Sequence, residues 1–127
     1  MPKYLKLYRK IKATPEEVYI ALTNPFTIEL WSGEPATMSQ EPGSEFSIIG
    51  GAITGRNLEF QPDQLIRQQW YFEGEAGESI VTIRLLPDKK NTLLEVEQSG
   101  IPDSDYENML KGWKNSYLQA LQDFFEA

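Results

Sequence analysis

SDYENMLKGWKNSYLQALQDFFEA, residues 104–127, is the stretch from which the fold is read. Its apolar residues Tyr106, Met109, Leu110, Trp113, Tyr117, Leu118, Leu121, Phe124 and Phe125 recur at steps of three and four, the period of one helical face. The spacing predicts one long helix. Ser104 and Glu107 stand three apart, as a capping box requires. Gly112 interrupts the stripe at about 1 kcal/mol relative to alanine, so a close neighbour is expected beside it. An apolar face this wide needs a second layer to cover.

Upstream of residue 104 the period changes to two, which supplies that layer. Strands are predicted near Ala36–Gln40, Glu45–Ile49, Ile53–Gln61, Gln64–Glu73, Ser79–Pro87 and Thr92–Ser99, separated by the turn signals Pro42-Gly43, Gly50-Gly51, Pro62-Asp63, Gly74 to Gly77 and Asp88 to Asn91. Consecutive hairpins of this kind form an antiparallel meander. Alternation assigns its faces: Ile66, Gln68, Trp70 and Phe72 share one side, as do Val81, Ile83 and Leu85, and Leu94, Val96 and Gln98. Closer to the N-terminus, Tyr4 to Lys12 reads as a first strand. Thr14-Pro15-Glu16-Glu17 is a complete helix start, with Thr14 as N-cap, proline at the first position and Glu17 closing a capping box. That helix runs to Thr23 and buries Val18, Ala21 and Leu22. Asn24-Pro25 ends it and opens a second short helix, Phe26 to Trp31, closed by Ser32-Gly33-Glu34-Pro35.

The 127 residues fit one domain, 1–127, large enough for a core of its own. Cysteine and histidine are both absent. Disulfides, thiolate chemistry, histidine-ligated zinc and histidine proton relays are thereby excluded. A net charge of −7 argues against a general nucleic-acid binder. Lys3, Lys6, Arg9, Lys10 and Lys12 make the first segment basic against an acidic remainder, the pattern of a solvated outer strand face, with a docking patch for an acidic partner as the alternative. Met1-Pro2-Lys3 lacks the apolar run of a secretory signal, and no run approaches the ~18 residues of a membrane span, so a cytoplasmic protein without membrane insertion is expected.

One strand, two short helices, a meander and a terminal helix form the helix-grip order of an α+β protein. The segment Thr-Pro-Glu-Glu-Val-Tyr-x-Ala-Leu-Thr-Asn-Pro with Trp31, the Phe46-Ser47-Ile48 strand before Gly50-Gly51, and the Gly55 strand resemble the family of activators of heat-shock protein 90 ATPase. So do Pro62-Asp63-x-Leu65, the Trp70 strand, Val81-Thr82-Ile83, and Gly112-Trp113 with Tyr117-Leu118. That family lies within the START-like superfamily (SRPBCC), alongside the birch-pollen-allergen fold and the polyketide cyclases. The resemblance implies a curved antiparallel sheet of six to seven strands gripping the long helix, with a cavity between them in many members. Candidate cavity residues are then Trp31, Phe46, Ile48, Trp70, Phe72, Val81, Ile83, Val96, Gln98, Met109, Trp113 and Tyr117. Core packing is the plainer account of the aliphatics. The aromatics exceed what packing requires and suit a site that is apolar yet orienting.

Gln98 is the most informative polar residue on the inward register, and Gln68 reads similarly, because a buried amide needs partners. Many relatives carry a histidine near Gln98; with glutamine here the resemblance transfers no acid–base role to it. Glu95 and Glu97 fall on the outer register near Arg84, where cross-strand ion pairing accounts for them. Arg56 reads as a surface residue, with bidentate anchoring of an anionic ligand as the alternative. No metal-ligand spacing, phosphate cradle or nucleophile elbow is present, so no cofactor, metal or catalytic residue is assigned.

The function expected first is binding of a small hydrophobic or amphipathic ligand between sheet and helix. The alternative is a protein-interaction module with a chaperone or other protein as partner. The eukaryotic namesakes implied by the resemblance carry a separate N-terminal chaperone-binding domain that this chain lacks, so stand-alone ATPase activation is not expected. A cyclase- or hydratase-like enzyme ranks last, and the expected state is a monomer or weak dimer.

Overall fold

Helix starts and strand periods place the elements nearly where the sequence puts them. The computed structural model describes residues 2–72 and 78–126. In chain order they form β1 (Lys3–Ile11), α1 (Pro15–Thr23), α2 (Pro25–Ser32), β2 (Glu45–Ile48), β3 (Ile53–Gln61), β4 (Leu65–Trp70), β5 (Ser79–Asp88) and β6 (Asn91–Ile101). A 3₁₀ turn (Asp103–Asp105) then leads into α3 (Tyr106–Gly112), a π-helical segment (Trp113–Tyr117) and α4 (Leu118–Glu126).

The six strands make one antiparallel sheet in the order β1-β6-β5-β4-β3-β2. The meander β2 to β6 is therefore contiguous, and β1 returns to its far edge against β6. The predicted strand Ala36–Gln40 shrinks to a single bridge, Thr37 to Ser47. Strand β4 stops at Trp70, short of the predicted end at Glu73; Glu73 and the turn signal Gly74 to Gly77 lie outside the described residues. Gly55 answers a steric need: a Cβ there would stand 1.9 Å from the carbonyl oxygen of Gln69. Only glycine lets β3 come so close to β4.

The Thr14 capping box forms, with Glu17 N–H donating to Thr14 Oγ1 at 3.3 Å and Thr14 N–H to Glu17 Oε1 at 3.1 Å. These bonds lower the Glu17 pKa from its ordinary value. The cap expected from Ser104 and Glu107 does not form; the helix begins instead through the 3₁₀ turn, and α3 has no side-chain cap bond. The inward face buries Leu5 and Ile11 of β1, Ile66 and Trp70 of β4, Val81, Ile83 and Leu85 of β5, and Leu94 and Val96 of β6. Against it pack Val18, Tyr19, Ala21 and Leu22 of α1 and Trp113, Tyr117, Leu118 and Leu121 of the terminal helix.

On the outer face the basic first strand meets the acidic last one. Lys6 and Arg84 both reach Glu95 and Glu97, Arg84 Nη1 at 3.0 and 2.7 Å, while the Tyr8 hydroxyl donates to Glu95 at 3.0 Å and that of Tyr4 to Glu97 at 3.1 Å. The charge asymmetry of the sequence is in this way neutralised locally. Arg56 is exposed.

Candidate functional site

The site is built from rings. Trp70 on β4 and Trp113 on the π segment stack with centroids 4.8 Å apart and planes 17° from parallel. Tyr117 tilts against Trp113 at 4.5 Å, and Trp31 of α2 against Tyr117 at 5.1 Å. The π turn contributes to this gathering: a turn wider than the 3.6-residue α turn brings residues four apart closer to one azimuth, and Trp113 and Tyr117 are both buried.

Each indole N–H is satisfied inside the protein. Trp113 Nε1 donates to Gln98 Oε1 at 2.8 Å, and Gln98 Nε2 donates in turn to Ser79 Oγ at 3.0 Å, whose hydroxyl donates to the Ser99 carbonyl at 2.8 Å. Trp70 Nε1 donates to Gln68 Oε1 at 2.9 Å, and Gln68 Nε2 to Asn57 Oδ1 at 3.0 Å. Trp31 Nε1 takes the Ala21 carbonyl at 2.7 Å. The two inward glutamines thus clamp the two stacked tryptophans, the partners that burial of an amide demands.

Beside the stack lies a cavity of about 310 Å³, bounded by Ile49, Ala52 and Ile53 of the β2–β3 hairpin, Trp70, and Asn108, Met109, Gly112, Trp113, Ser116 and Tyr117 of the terminal helix. None of these carries a charge. The Tyr117 residue is 5% exposed. Its hydroxyl has no hydrogen-bond partner among the described residues, and burial pushes its pKa up from the ordinary 10.0. A second hollow of about 290 Å³ continues past Ile49 and Ser116 along Trp31, Asn115, Gln119, Ala120 and Asp123. Among the described residues no group of His, Cys, Asp or Glu is placed to hold a metal ion.

Of the residues singled out from the sequence, Trp70, Met109, Trp113 and Tyr117 border the first cavity and Trp31 the second. Phe46, Ile48, Val81, Ile83, Val96 and Gln98 are buried in the core and are not among its lining residues; Phe72 lies beyond the end of β4, half-buried against the core. Ile49, Ala52, Ile53, Asn108 and Ser116 were not legible as lining. Ile49 has a φ of 55°, and this left-handed backbone breaks the alternation that would send it to the face opposite Ile48. The signal for the helix edge was present: Asn108, Gly112 and Ser116 stand four apart. Gly112 itself corrects the expectation of a close neighbour, because a Cβ built there meets no heavy atom within 4 Å outside the local helix. It faces open space in the cavity wall.

The family described as activator of Hsp90 ATPase homolog 1-like protein matches residues 12–126. The chain belongs to that family. An activator of 90 kDa heat shock protein ATPase homolog from Dictyostelium discoideum is 32% identical over 97% of this chain and 33% of its own length. The human homolog 1 is 25% identical over 88% of this chain and 34% of its own length. The chain therefore spans about a third of these curated relatives of the Hsp90-activator family. The crystal structure of an HSP90 activator from Plasmodium falciparum superposes with a TM-score of 0.86 at 24% identity, covering 95% of this chain and 94% of that one. That of a Chromobacterium violaceum protein superposes at 0.78 with 30% identity, covering 99% of each. The two solved structures share the helix-grip fold of this chain.

Proposed function

We propose that the protein binds a small apolar molecule in the cavity between the terminal helix and the β2–β3 hairpin. The observation that carries this reading is Gly112. A mid-helix glycine sacrifices about 1 kcal/mol relative to alanine, and here no packing contact requires it. The residue does hold open the wall of an uncharged cavity of about 310 Å³, a volume at the low end of ligand sites. The test is tryptophan fluorescence, since Trp70 and Trp113 both line the space. A saturable, one-to-one change on titration with a naphthalene-class probe is expected, and Gly112→Leu, which fills the cavity from its wall, abolishes it while the fold is retained by circular dichroism. Equal binding by the filled variant would overturn the reading.

A second reading, a protein-interaction module, has its own support in the surface. Phe26 and Leu30 are 76% and 71% exposed, one turn apart on α2, with Ile20 of α1 also exposed, and the family's curated members are named for a chaperone ATPase. Co-purification with the host's Hsp90-type chaperone that is lost in Phe26→Ser/Leu30→Ser would support it; unchanged recovery of the double variant would count against this surface.

A further inference from the structure

Resting on the cavity reading above, we infer that the ligand is a neutral, compact, ring-bearing molecule with a hydrogen-bond acceptor, held against the Trp70–Trp113 stack and accepting from the Tyr117 hydroxyl. Charge is the first argument. No residue lining the cavity is ionisable except Tyr117, and an ion brought into such a space loses its hydration without gaining a partner. The chain's net charge of −7 adds a repulsive field for anions.

Shape is the second. Both tryptophan planes are fixed by amide clamps that are themselves anchored, Gln98 on Ser79 and Gln68 on Asn57, so the aromatic wall exists before any ligand arrives. A pre-organised aromatic wall favours flat partners in offset or edge-on contact. A volume of about 310 Å³ suits a compact ring system.

Polarity is the third. The indole N–H groups of both tryptophans are committed to the glutamines, which removes them as ligand donors. Of the other polar lining residues Asn108 and Ser116 are exposed, which leaves Tyr117, 5% exposed, as the most buried polar group on the cavity wall. Because burial raises its pKa further above 10.0, it stays a protonated donor throughout the physiological range. A ketone or similar acceptor on the ligand would satisfy it. The hairpin lip supports a site here as well: Ile49 borders the cavity in a left-handed conformation that β-branched residues avoid, and strain of this kind persists where surrounding structure holds it for a purpose.

Four probes decide the matter by fluorescence titration at neutral pH: 2-acetylnaphthalene, 2-methylnaphthalene, 2-naphthoate and decanoate, against wild type, Tyr117→Phe and Gly112→Leu. The ketone should bind about fivefold more tightly than the methyl compound, the yield of one added hydrogen bond, and at least about tenfold more tightly than naphthoate or decanoate. Tyr117→Phe should erase the ketone's advantage and leave the methyl compound unchanged. Probe binding that Gly112→Leu abolishes but that shows no ketone preference, or that favours either anion, overturns this inference alone. Absence of binding by every probe overturns the cavity reading with it.

Discussion

Gln98 is fully buried; it accepts from Trp113 of the terminal helix and donates to Ser79 of the neighbouring strand β5. Replacing Gln98 with leucine orphans the buried Trp113 N–H, at a cost of about 1–3 kcal/mol, while the Ser79 hydroxyl keeps its bond to the Ser99 carbonyl; a urea midpoint shifted by a comparable free energy is the check. Trp113→Ala should be worse, about 3–5 kcal/mol, because the ring also carries the stack. In a double-mutant cycle the Gln98→Leu and Trp113→Phe effects should be strongly non-additive, since the second change removes the donor that the first would orphan. The inward register of Gln98 was legible from alternation with Leu94 and Val96. Its partner was not, because which helical side chain meets it depends on the azimuth of the π turn, which spacing does not reveal.

The terminal helix shows how element type can be legible while internal geometry is not. Its apolar stripe identified a helix, yet the seven residues of α3 and nine of α4 are joined by five in π geometry. At that joint the N–H of Leu118 turns to the Trp113 carbonyl, and Arg9 of β1 donates to the Lys114 carbonyl at 3.0 Å while also reaching Gln122 Oε1 at 2.8 Å. Arg9→Ala should loosen this segment, seen as faster amide exchange over residues 114–122 with the rest of the sheet protected. Gly112→Ala should stabilise the helix by up to about 1 kcal/mol, read as a higher thermal midpoint, while weakening probe binding. A gain in stability with reduced binding is the signature of a glycine retained for space. The lost strand Ala36–Gln40 has a simple account: its residues alternate, but only Thr37 finds a backbone partner, at the outer edge beyond β2.

Across the whole molecule, charge is arranged so that the interior is neutral and the outer sheet face is a ladder of pairs. Burial pushes the Glu95 pKa up, but hydrogen bonds from Tyr8, Arg84 and Lys6 outweigh it and leave the carboxyl below its ordinary 4.5. A carboxylate whose folded pKa is depressed contributes stability above its unfolded pKa, and loses that contribution as pH falls through the folded value. Thermal midpoints should accordingly decline below about pH 4.5, and Glu95→Gln should be less stable at pH 7 with a shallower acid decline. This layering was the most legible property of the chain, since alternation separates Glu95 and Glu97 from Leu94, Val96 and Gln98. The cavity was only half legible: its helix and β4 walls follow from periodicity, whereas its hairpin wall hangs on the left-handed turn at Ile49.

The Arg9 hook has a consequence for how the chain acquires its structure. Its partners Lys114 and Gln122 lie 105 and 113 residues downstream, and among the described residues β1 pairs with β6, the sheet's last strand in chain order. During synthesis the first strand must therefore wait, unpaired, while the meander it will border is completed. Loop closure over such separations slows folding. Five basic residues within its first twelve keep that waiting strand solvated, much as lysines protect an exposed sheet edge, until the acidic β6 emerges to receive it.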